Sequence, residues 1–388
     1  MRHVGAERAV AERVWGMIEG FAGFGFPKAH SAAFGLLAYQ STWLRVHHGP
    51  EFLCALLNEQ PMGFYAPDSL VHEAQQRGIA VLGVDVNASA VECAVERGGV
   101  RLGLGYIKGL TREEATQLVA EREQGGPFRN LGELAARTGA TRGTLERLAW
   151  SGACETLTAD AGRRAALWRL GIAAPGQAAA EGTQLALPLA LPPAPRLRKL
   201  DRWQRLIADY SSTGVAAHDH AMAILRPRIE LPMLATSAQL QRLPSGCAVA
   251  VAGLVIARQR PATAKGTTFL LFEDEWGTIN LIVPRATYER HRPLARAEPL
   301  LLARGRLERS EGVINVIVRE LAPLERFLSP DAGETAQPAR VHRLPAAAGG
   351  PDEAAASLDA HQDAAAAVGA SMRAVAPPVQ SFAAGRRR

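Results

Sequence analysis

Cysteine is scarce in this chain of 388 residues: there are four, Cys54, Cys93, Cys154 and Cys247, far apart. No pair has C-x-x-C spacing and no histidine pair completes a metal set. That argues against a disulfide framework and a structural zinc, and for a reducing compartment, the cytoplasm. Long apolar runs are also lacking. No stretch reaches ~18 apolar residues without a charge or a helix breaker, so no membrane span is expected. Residues 1–13 carry Arg, Glu and His and no apolar stretch of the kind a signal peptide needs. Composition is not extreme: 47% apolar and 21% charged residues exclude wholesale disorder and collagen-like structure. Charge of one sign does not dominate either. Lys and Arg number 44 against 38 Asp and Glu, leaving +6 and a pI of ≈ 9.4, which suits a nucleic-acid partner without requiring one. At roughly 150 residues per domain the length fits two or three domains.

Motifs of self-sufficient catalysis are missing as well. There is no G-x-x-x-x-G-K-[ST], no G-x-S-x-G and no H-E-x-x-H. Metal-assisted phosphoryl transfer needs carboxylates converging on the metal. The densest acidic cluster, Glu273-Asp274-Glu275, is followed by Trp276-Gly277 between two predicted strands and reads as a solvated turn. Asp85 stands alone at a strand end. Gly103-Leu104-Gly105 opens a partial dinucleotide fingerprint, but no βαβ unit surrounds it. No catalytic residue and no metal ligand is assigned.

What is present is a sequence of contrasting stretches. Val10, Val14, Met17 and Phe21 mark one face of a helix that the glycine-rich segment Gly20 to Pro27 ends. Ser31 is a plausible N-cap for a helix to His47 with Phe34, Leu37 and Leu44 on its apolar stripe. Gly49-Pro50 starts another helix, to Asn58. A short helix near Leu70–Arg77 leads to short buried strands at Ile79–Leu82 and Val84–Val86. Residues 101–158 are helical with glycine turns.

Within them, Ile107-Lys108-Gly109-Leu110-Thr111-Arg112 is an apolar–x–Gly–apolar turn running into a helix, the pattern of a helix-hairpin-helix. Glycine lets the backbone approach a phosphate, and free N–H groups at the next helix start bind the anion. Lys108 and Arg112 would add charge. Thr111 stands where a second hairpin glycine is usual. A second candidate follows at Leu145-Glu146-Arg147-Leu148-Ala149-Trp150-Ser151-Gly152-Ala153, so Lys108, Gly109, Leu110, Thr111, Arg112, Ser151 and Gly152 are candidate DNA-binding residues; the alternative is a plain helical hairpin.

Residues 172–198 shift to Ala, Gly, Gln, Leu and Pro, a linker. Inside it Gln184-Leu185-Ala186-Leu187-Pro188-Leu189 spaces leucines that gain nothing unless a partner buries them. Residues 200–246 mix a helix with loops. From 247 to 322 the pattern has period two: strands around Val249–Val255, Thr267–Phe272, Thr278–Val283, Leu300–Leu307 and Val313–Val318, with a helix at Arg285–His291 between the third and fourth. Five strands so arranged fit an OB-fold, a small Greek-key barrel. Phe269, Phe272 and Trp276 are possible stacking platforms, at least one phenylalanine being core, and Arg258, Arg260, Arg304 and Arg306 possible groove charges. The tail from about Leu328, Ala-rich and broken by Pro and Gly, cannot bury much.

Four of these stretches line up with one family. Phe21-Ala22-Gly23-Phe24-Gly25-Phe26-Pro27-Lys28-Ala29-His30-Ser31-Ala32-Ala33-Phe34, with Tyr39-Gln40-Ser41-Thr42-Trp43-Leu44 behind it, resembles the fingers region of bacterial C-family DNA polymerase III alpha subunits. Leu57-Asn58-Glu59-Gln60-Pro61-Met62-Gly63-Phe64-Tyr65 is similar to the error-prone, translesion branch. The resemblance covers about residues 5–325. It implies a multidomain α+β chain with these parts: residues 1–100 the C-terminal part of the fingers, 101–171 a tandem helix-hairpin-helix domain, 172–199 the linker, 200–246 connecting helix and loops, 247–325 the OB-fold barrel, and 326–388 a disordered tail. It implies nucleotide-binding roles for Lys28, His30 and Ser31, and a sliding-clamp contact for Gln184, Leu185, Leu187 and Leu189. Implied partners are primer–template DNA, the clamp and the accessory proteins of a translesion mutasome, with no membrane. The family's catalytic carboxylates lie in a palm that precedes the fingers and is not in this sequence. The chain is therefore expected to be a C-terminal portion or a split reading frame, inactive alone, with no cofactor of its own and Mg2+ serving the intact DNA-directed polymerase. A stand-alone, non-catalytic DNA- or clamp-binding module is the alternative, and an RNA-binding OB module a more distant one.

Overall fold

The computed structural model describes residues 8–22, 28–63, 65–158, 162–173, 197–310, 312–329, 367–377 and 380–383. The chain divides into two compact units, Met1–Phe52 and Leu53–Arg388. The first holds two helices, α1 (Arg8–Ala22) and α2 (Lys28–His47). The helix foreseen over Val10 to Phe21 is there, but Val10 and Met17 face solvent, as do Phe34, Leu37 and Leu44 of α2. Ser31 does not cap α2: the helix begins three residues earlier, at Lys28, and Ser31 lies inside its first turn.

The second unit begins within α3 (Gly49–Asn58), whose Leu53 and Leu57 are buried. Then come α4 (Pro67–Gln76), opened by proline at its first position, and a small sheet of β1 (Val81–Leu82), β2 (Ala94–Glu96) and β3 (Gly99–Arg101) in the order β1-β3-β2. The expected strand at Val84–Val86 is instead loop, and its backbone is held locally: Val86 N–H donates to the Ala153 carbonyl at 2.9 Å. The helical array continues with α5 (Arg112–Gly125), α6 (Leu131–Thr138), α7 (Arg142–Trp150) and α8 (Gly162–Ala173). Thr111, Asn130 and Thr141 cap three of these helices with their side-chain oxygens. Each such cap stabilises by about 1 kcal/mol. One apolar core joins this array to α3, α4 and the small sheet through Leu57, Val100, Leu104, Leu118, Leu134 and Leu148.

Residues 197–246 fold as α9 (Arg202–Ser212), α10 (Ala221–Leu225), β4 (Leu234–Ala235) and α11 (Ser237–Leu240). The barrel follows: β5 (Ala248–Arg260), β6 (Thr268–Asp274), β7 (Gly277–Val283), two short helices α12 (Arg285–Arg290) and α13 (Arg292–Ala297), β8 (Leu300–Ser310) and β9 (Val313–Pro323). Pairing runs β5-β6-β7-β9-β8 and closes back from β8 to β5, with β7 and β9 parallel and the other neighbours antiparallel. This is the expected five-stranded OB-like barrel. β5 pairs with β8 through its first half and with β6 through its second, turning at a register shift between Val255 and Ala257. A bulge bends one long strand into two walls of a closed barrel. Along β8, Leu301, Ala303 and Leu307 fill the barrel, while Leu300 and Leu302 face outward. The outward side is not wet. It is covered by Leu206 and Tyr210 of α9, Met222 and Leu225 of α10, and Val368 and Met372. Full burial of side chains this size stabilises by about 1.5–3 kcal/mol each.

Val368 and Met372 belong to the tail. Residues 367–375 are helical, and β10 (Gln380–Ala383) pairs in parallel with residues 257–260 of β5. Part of the tail is thus a component of the barrel's outer layer; residues 330–366, 378–379 and 384–388 lie outside the described ones.

Candidate nucleic-acid interface

The first hairpin is built by the chain's own local chemistry. Residues Leu104–Tyr106 form a single 3-10 turn, and Gly109 takes φ 79°. That left-handed conformation is where glycine carries no Cβ penalty. Thr111, which stands in place of a second glycine, is the N-cap of α5. Its hydroxyl accepts from Glu114 N–H at 3.2 Å while Glu114 returns a carboxylate oxygen to Thr111 N–H at 2.8 Å. This reciprocal capping box fixes the helix start. The backbone bond from Thr111 holds the Glu114 carboxyl below its usual range, with Thr144 adding a second donor. The rest of α5's first turn faces outward, and a helix N-terminus presents partial positive charge.

The cations around this turn differ from the expected set. Arg112 is exposed and pairs with Glu92 at 2.8 Å. Lys108 turns back along the protein and donates from Nζ to the Tyr210 carbonyl at 2.5 Å; burial lowers its pKa. Arg147, which lies within the second motif and is not among the residues expected at the first turn, reaches that turn from α7. A Cβ at Gly109 would lie 2.9 Å from its Nε. No spacing rule connects residues 109 and 147; only the packing of α5 against α7 brings them together.

The second turn is packed inward. Ser151 is buried and its hydroxyl donates to the Leu148 carbonyl at 3.0 Å. Gly152 has φ 88°, and a Cβ there would meet Arg163 Nη2 at 2.6 Å. Arg163 is itself buried, donating from Nε to Glu155 at 2.8 Å and from Nη1 to the Trp150 carbonyl at 3.1 Å, with Asp209 2.7 Å from the same Nη1.

In the separate first unit, Lys28 and His30 are exposed and Ser31 half-buried at the start of α2; the His30 ring lies 4.4 Å from that of Phe34. Gln184, Leu185, Leu187 and Leu189 lie outside the described residues.

On the barrel, Phe272 is core and Phe269, on the other face of β6, is half-buried. Trp276 is 63% exposed at the β6–β7 tip. Of the four arginines, Arg258 is spent internally. It donates to the carbonyls of Ala295 at 3.0 Å and Glu298 at 2.6 Å, and burial pushes its pKa down to about 10. Arg260 lies over the Tyr288 ring and pairs with Glu289, and Arg304 pairs with Glu320.

The acidic run before Trp276 is not a solvated turn. Glu273 and Asp274 are 3% and 0% exposed. Asp274 accepts from Ser237 N–H (2.7 Å) and hydroxyl (2.6 Å), Trp276 N–H (2.9 Å), Gly277 N–H (3.0 Å) and Arg226 (3.3 Å). The sequence could not show this, because the partners come from other elements. Glu273 lies 2.8 Å from His72 Nδ1 and 3.4 Å from His220 Nε2. Burial alone would raise the Glu273 pKa; the two imidazoles override it and hold it at about 2.

Among the described residues, His72, His220 and Glu273 are the one group with three metal-capable donors within 4.8 Å of one another. Its hydrogen bonding does not suit a metal. His220 Nδ1 accepts from Met222 N–H at 3.1 Å, so the neutral ring carries its proton on Nε2, the atom facing Glu273. A metal-bound imidazole needs that lone pair free and normally donates from its other nitrogen. The cluster is a proton-bearing one. No helix among the described residues is long and apolar enough to cross a membrane.

Comparison with known proteins places this geometry in context. A family model described as a helix-hairpin-helix motif matches residues 78–166, spanning both turns. Curated relatives named error-prone DNA polymerase match most of the chain. One from Anaeromyxobacter dehalogenans is 43% identical over 86% of this chain, one from Teredinibacter turnerae 42% over 80%, and one from Corynebacterium glutamicum 37% over 82%. The chain spans about 30% of the length of these relatives. Among solved structures, asparaginyl-tRNA synthetase from Pyrococcus horikoshii matches 24% of this chain and 22% of its own at 19% identity, with a TM-score of 0.22.

Proposed function

The chain is homologous to the error-prone DNA polymerases over about 30% of their length, and on that premise we propose that it supplies the DNA grip of such an enzyme. The observation that carries this is the first hairpin: a left-handed Gly109, a capped and outward-facing start of α5, and the guanidinium groups of Arg112 and Arg147 beside it. Such a site binds backbone phosphate and is blind to base sequence. The inward packing of Ser151 and Gly152 makes the second turn a brace for the first. Lys108, tied to Tyr210, acts with it as support.

Trp276, on a tip fixed by Asp274, would stack an unpaired template base beyond the duplex. Lys28, His30 and Ser31 would line the approach of the incoming nucleotide, and Gln184 to Leu189 would tether the sliding clamp, with translesion accessory proteins joining the assembly. DNA synthesis across lesions in the cytoplasm would be the work of the whole polymerase. Mg2+ would serve that polymerase.

Hydrogen exchange tests the grip directly. Adding primer–template duplex should protect the amides of residues 109–113. Protection confined to the second turn, or none, would sink the assignment.

A further inference from the structure

The two elements of the proposed grip are joined by one buried run of polar contacts. Lys108, in the hairpin, donates to the Tyr210 carbonyl at 2.5 Å. The Tyr210 hydroxyl, wholly buried, donates to Asp68 at 2.9 Å, and Asp68 accepts from Ala216 N–H at 2.9 Å as well. One helical turn on, His72 Nδ1 lies 3.5 Å from Asp68 and 2.8 Å from Glu273. Asp274, the next residue, holds the turn that carries Trp276. The hairpin, α9, α4 and the end of β6 thus meet through side chains shielded from water.

Among the described residues, carboxyl, imidazole and phenol groups from four elements surround His72. Asp68 faces it from its own helix and Glu273 from β6. His220 faces it from the residue before α10, with ring centres 4.7 Å apart. Tyr210 reaches it from α9 through Asp68. Arg226, at this end of β6, is held by Asp274 and Glu275. Two carboxyl groups therefore converge on one imidazole; burial raises the Asp68 carboxyl above its usual range, so Glu273 is the firmer anion of the two.

Resting on the grip reading above, we propose that His72 is a positioning residue: its contact with Glu273 is a proton-operated latch that holds the barrel tip in fixed register with the hairpin. With the proton on, an imidazolium sits between Asp68 and Glu273. With it off, the neutral ring still donates from Nδ1 to Glu273, its Nε2 being buried without a partner, but no cation offsets the two carboxyl groups in a site that water does not reach, and the register loosens.

The direction of the pH response follows. Burial alone would lower the His72 pKa, but Asp68 and Glu273 outweigh it and raise it to about 9. A histidine so raised contributes in full below its ordinary value near 6.5 and loses its contribution as pH rises through about 9. Glu273, held at about 2, contributes above its ordinary value near 4.5 and fails only as pH falls to about 2. The latch is thus fully closed from about pH 4.5 to 6.5 and weakens from there through about 9.

The test uses the full chain with Cys54→Ser and Cys247→Ser, and spin labels at Glu113→Cys and Thr278→Cys, both exposed positions. Pulsed electron paramagnetic resonance should give one narrow distance at pH 6 and a broad distribution at pH 9.5. His72→Gln should be broad at both, and so should Glu273→Gln, which removes the anion and keeps the shape. Far-UV circular dichroism checks that each variant is folded. If His72→Gln does not fold, Glu273→Gln and the imidazole NMR titration of His72 in the unsubstituted chain carry the test. A wild-type distribution equally narrow at both pH values would overturn the latch, as would a His72 titration near 6.5.

A second arm measures DNA. Affinity for a primer–template with a single-stranded overhang should fall about tenfold more than affinity for blunt duplex between pH 6 and 9.5. If the spin-label response is seen but neither DNA binds at any pH, the grip reading fails and the latch stands. If both DNAs bind with the same pH profile, the latch does not serve the grip and the proposal is wrong.

Discussion

Replacing Asp274 by alanine should cost more stability than any surface charge could explain. Its carboxylate is fully buried and accepts four hydrogen bonds, from Ser237 N–H and hydroxyl, Trp276 N–H and Gly277 N–H, with Arg226 alongside. In Asp274→Ala, the Trp276 and Gly277 amides sit at the tip and can turn to water. The two Ser237 donors are buried and cannot. Arg226 keeps Glu275. A buried donor left without a partner costs about 1–3 kcal/mol, so two of them give about 2–6 kcal/mol; the middle of that span, about 3–5 kcal/mol, is the range for breaking a buried charged network. Asp274→Asn retains one acceptor oxygen but turns an amide against the remaining donors, and should lose roughly half as much. Equilibrium urea unfolding followed by circular dichroism measures both. With a slope of about 2–3 kcal/mol per molar for the barrel's transition, the alanine variant's midpoint should drop by about 1–2 M. A midpoint within roughly 0.3 M of wild type would mean that the turn is solvated after all, and the reasoning about Asp274 would be refuted.

Gly305→Ala should damage the barrel more than its size suggests, since a Cβ there would lie 2.2 Å from the Ile317 carbonyl oxygen at the bulge in β8; a loss of about 2–3 kcal/mol or more in the same urea assay is expected. Arg258→Met should lose about 1–3 kcal/mol by freeing the Ala295 and Glu298 carbonyls, with no effect on the salt dependence of DNA binding. Gly109→Ala should cost about 1–2 kcal/mol for its left-handed backbone and weaken duplex binding together, checked by thermal melting beside anisotropy. Thermal stability of the wild type should decline as pH rises from 6.5 to 9, because the raised His72 loses its proton over that interval; Glu273→Gln should flatten the decline.

The barrel was legible because its signal is local. Alternation along Val249 to Val255 and Leu300 to Leu307 needs no knowledge of neighbours, and the strand limits agree within a few residues. Gly109 was legible for the same reason, as a turn that only glycine enters cheaply. Thr111 was read as a gap in the motif, yet its place three residues before Glu114 is a capping signal. The small sheet at β2 and β3 was missed because three-residue strands are too short to show a period. The acidic run was misread because acids before a Trp-Gly turn look solvated. Their burial comes from His72 and His220 on one side and Ser237 and Arg226 on the other, up to 201 positions away. Arg258 lost its expected role in the same way, to carbonyls 37 and 40 positions away. The tail's low-complexity composition concealed Val368 and Met372, two apolar residues one helical turn apart that dock on the barrel's outer layer.

The central claim is that the first hairpin holds DNA by its phosphates. Fluorescence anisotropy of a primer–template duplex across a salt series, with wild type beside Arg112→Ala/Arg147→Ala, tests it most directly. The logarithm of affinity should fall linearly with the logarithm of salt, and the double variant should bind more weakly at every point with a slope shallower by about 1–2. An unchanged slope and affinity in the double variant would place the DNA elsewhere on the chain, and duplex that does not bind even at low salt would contradict the account altogether.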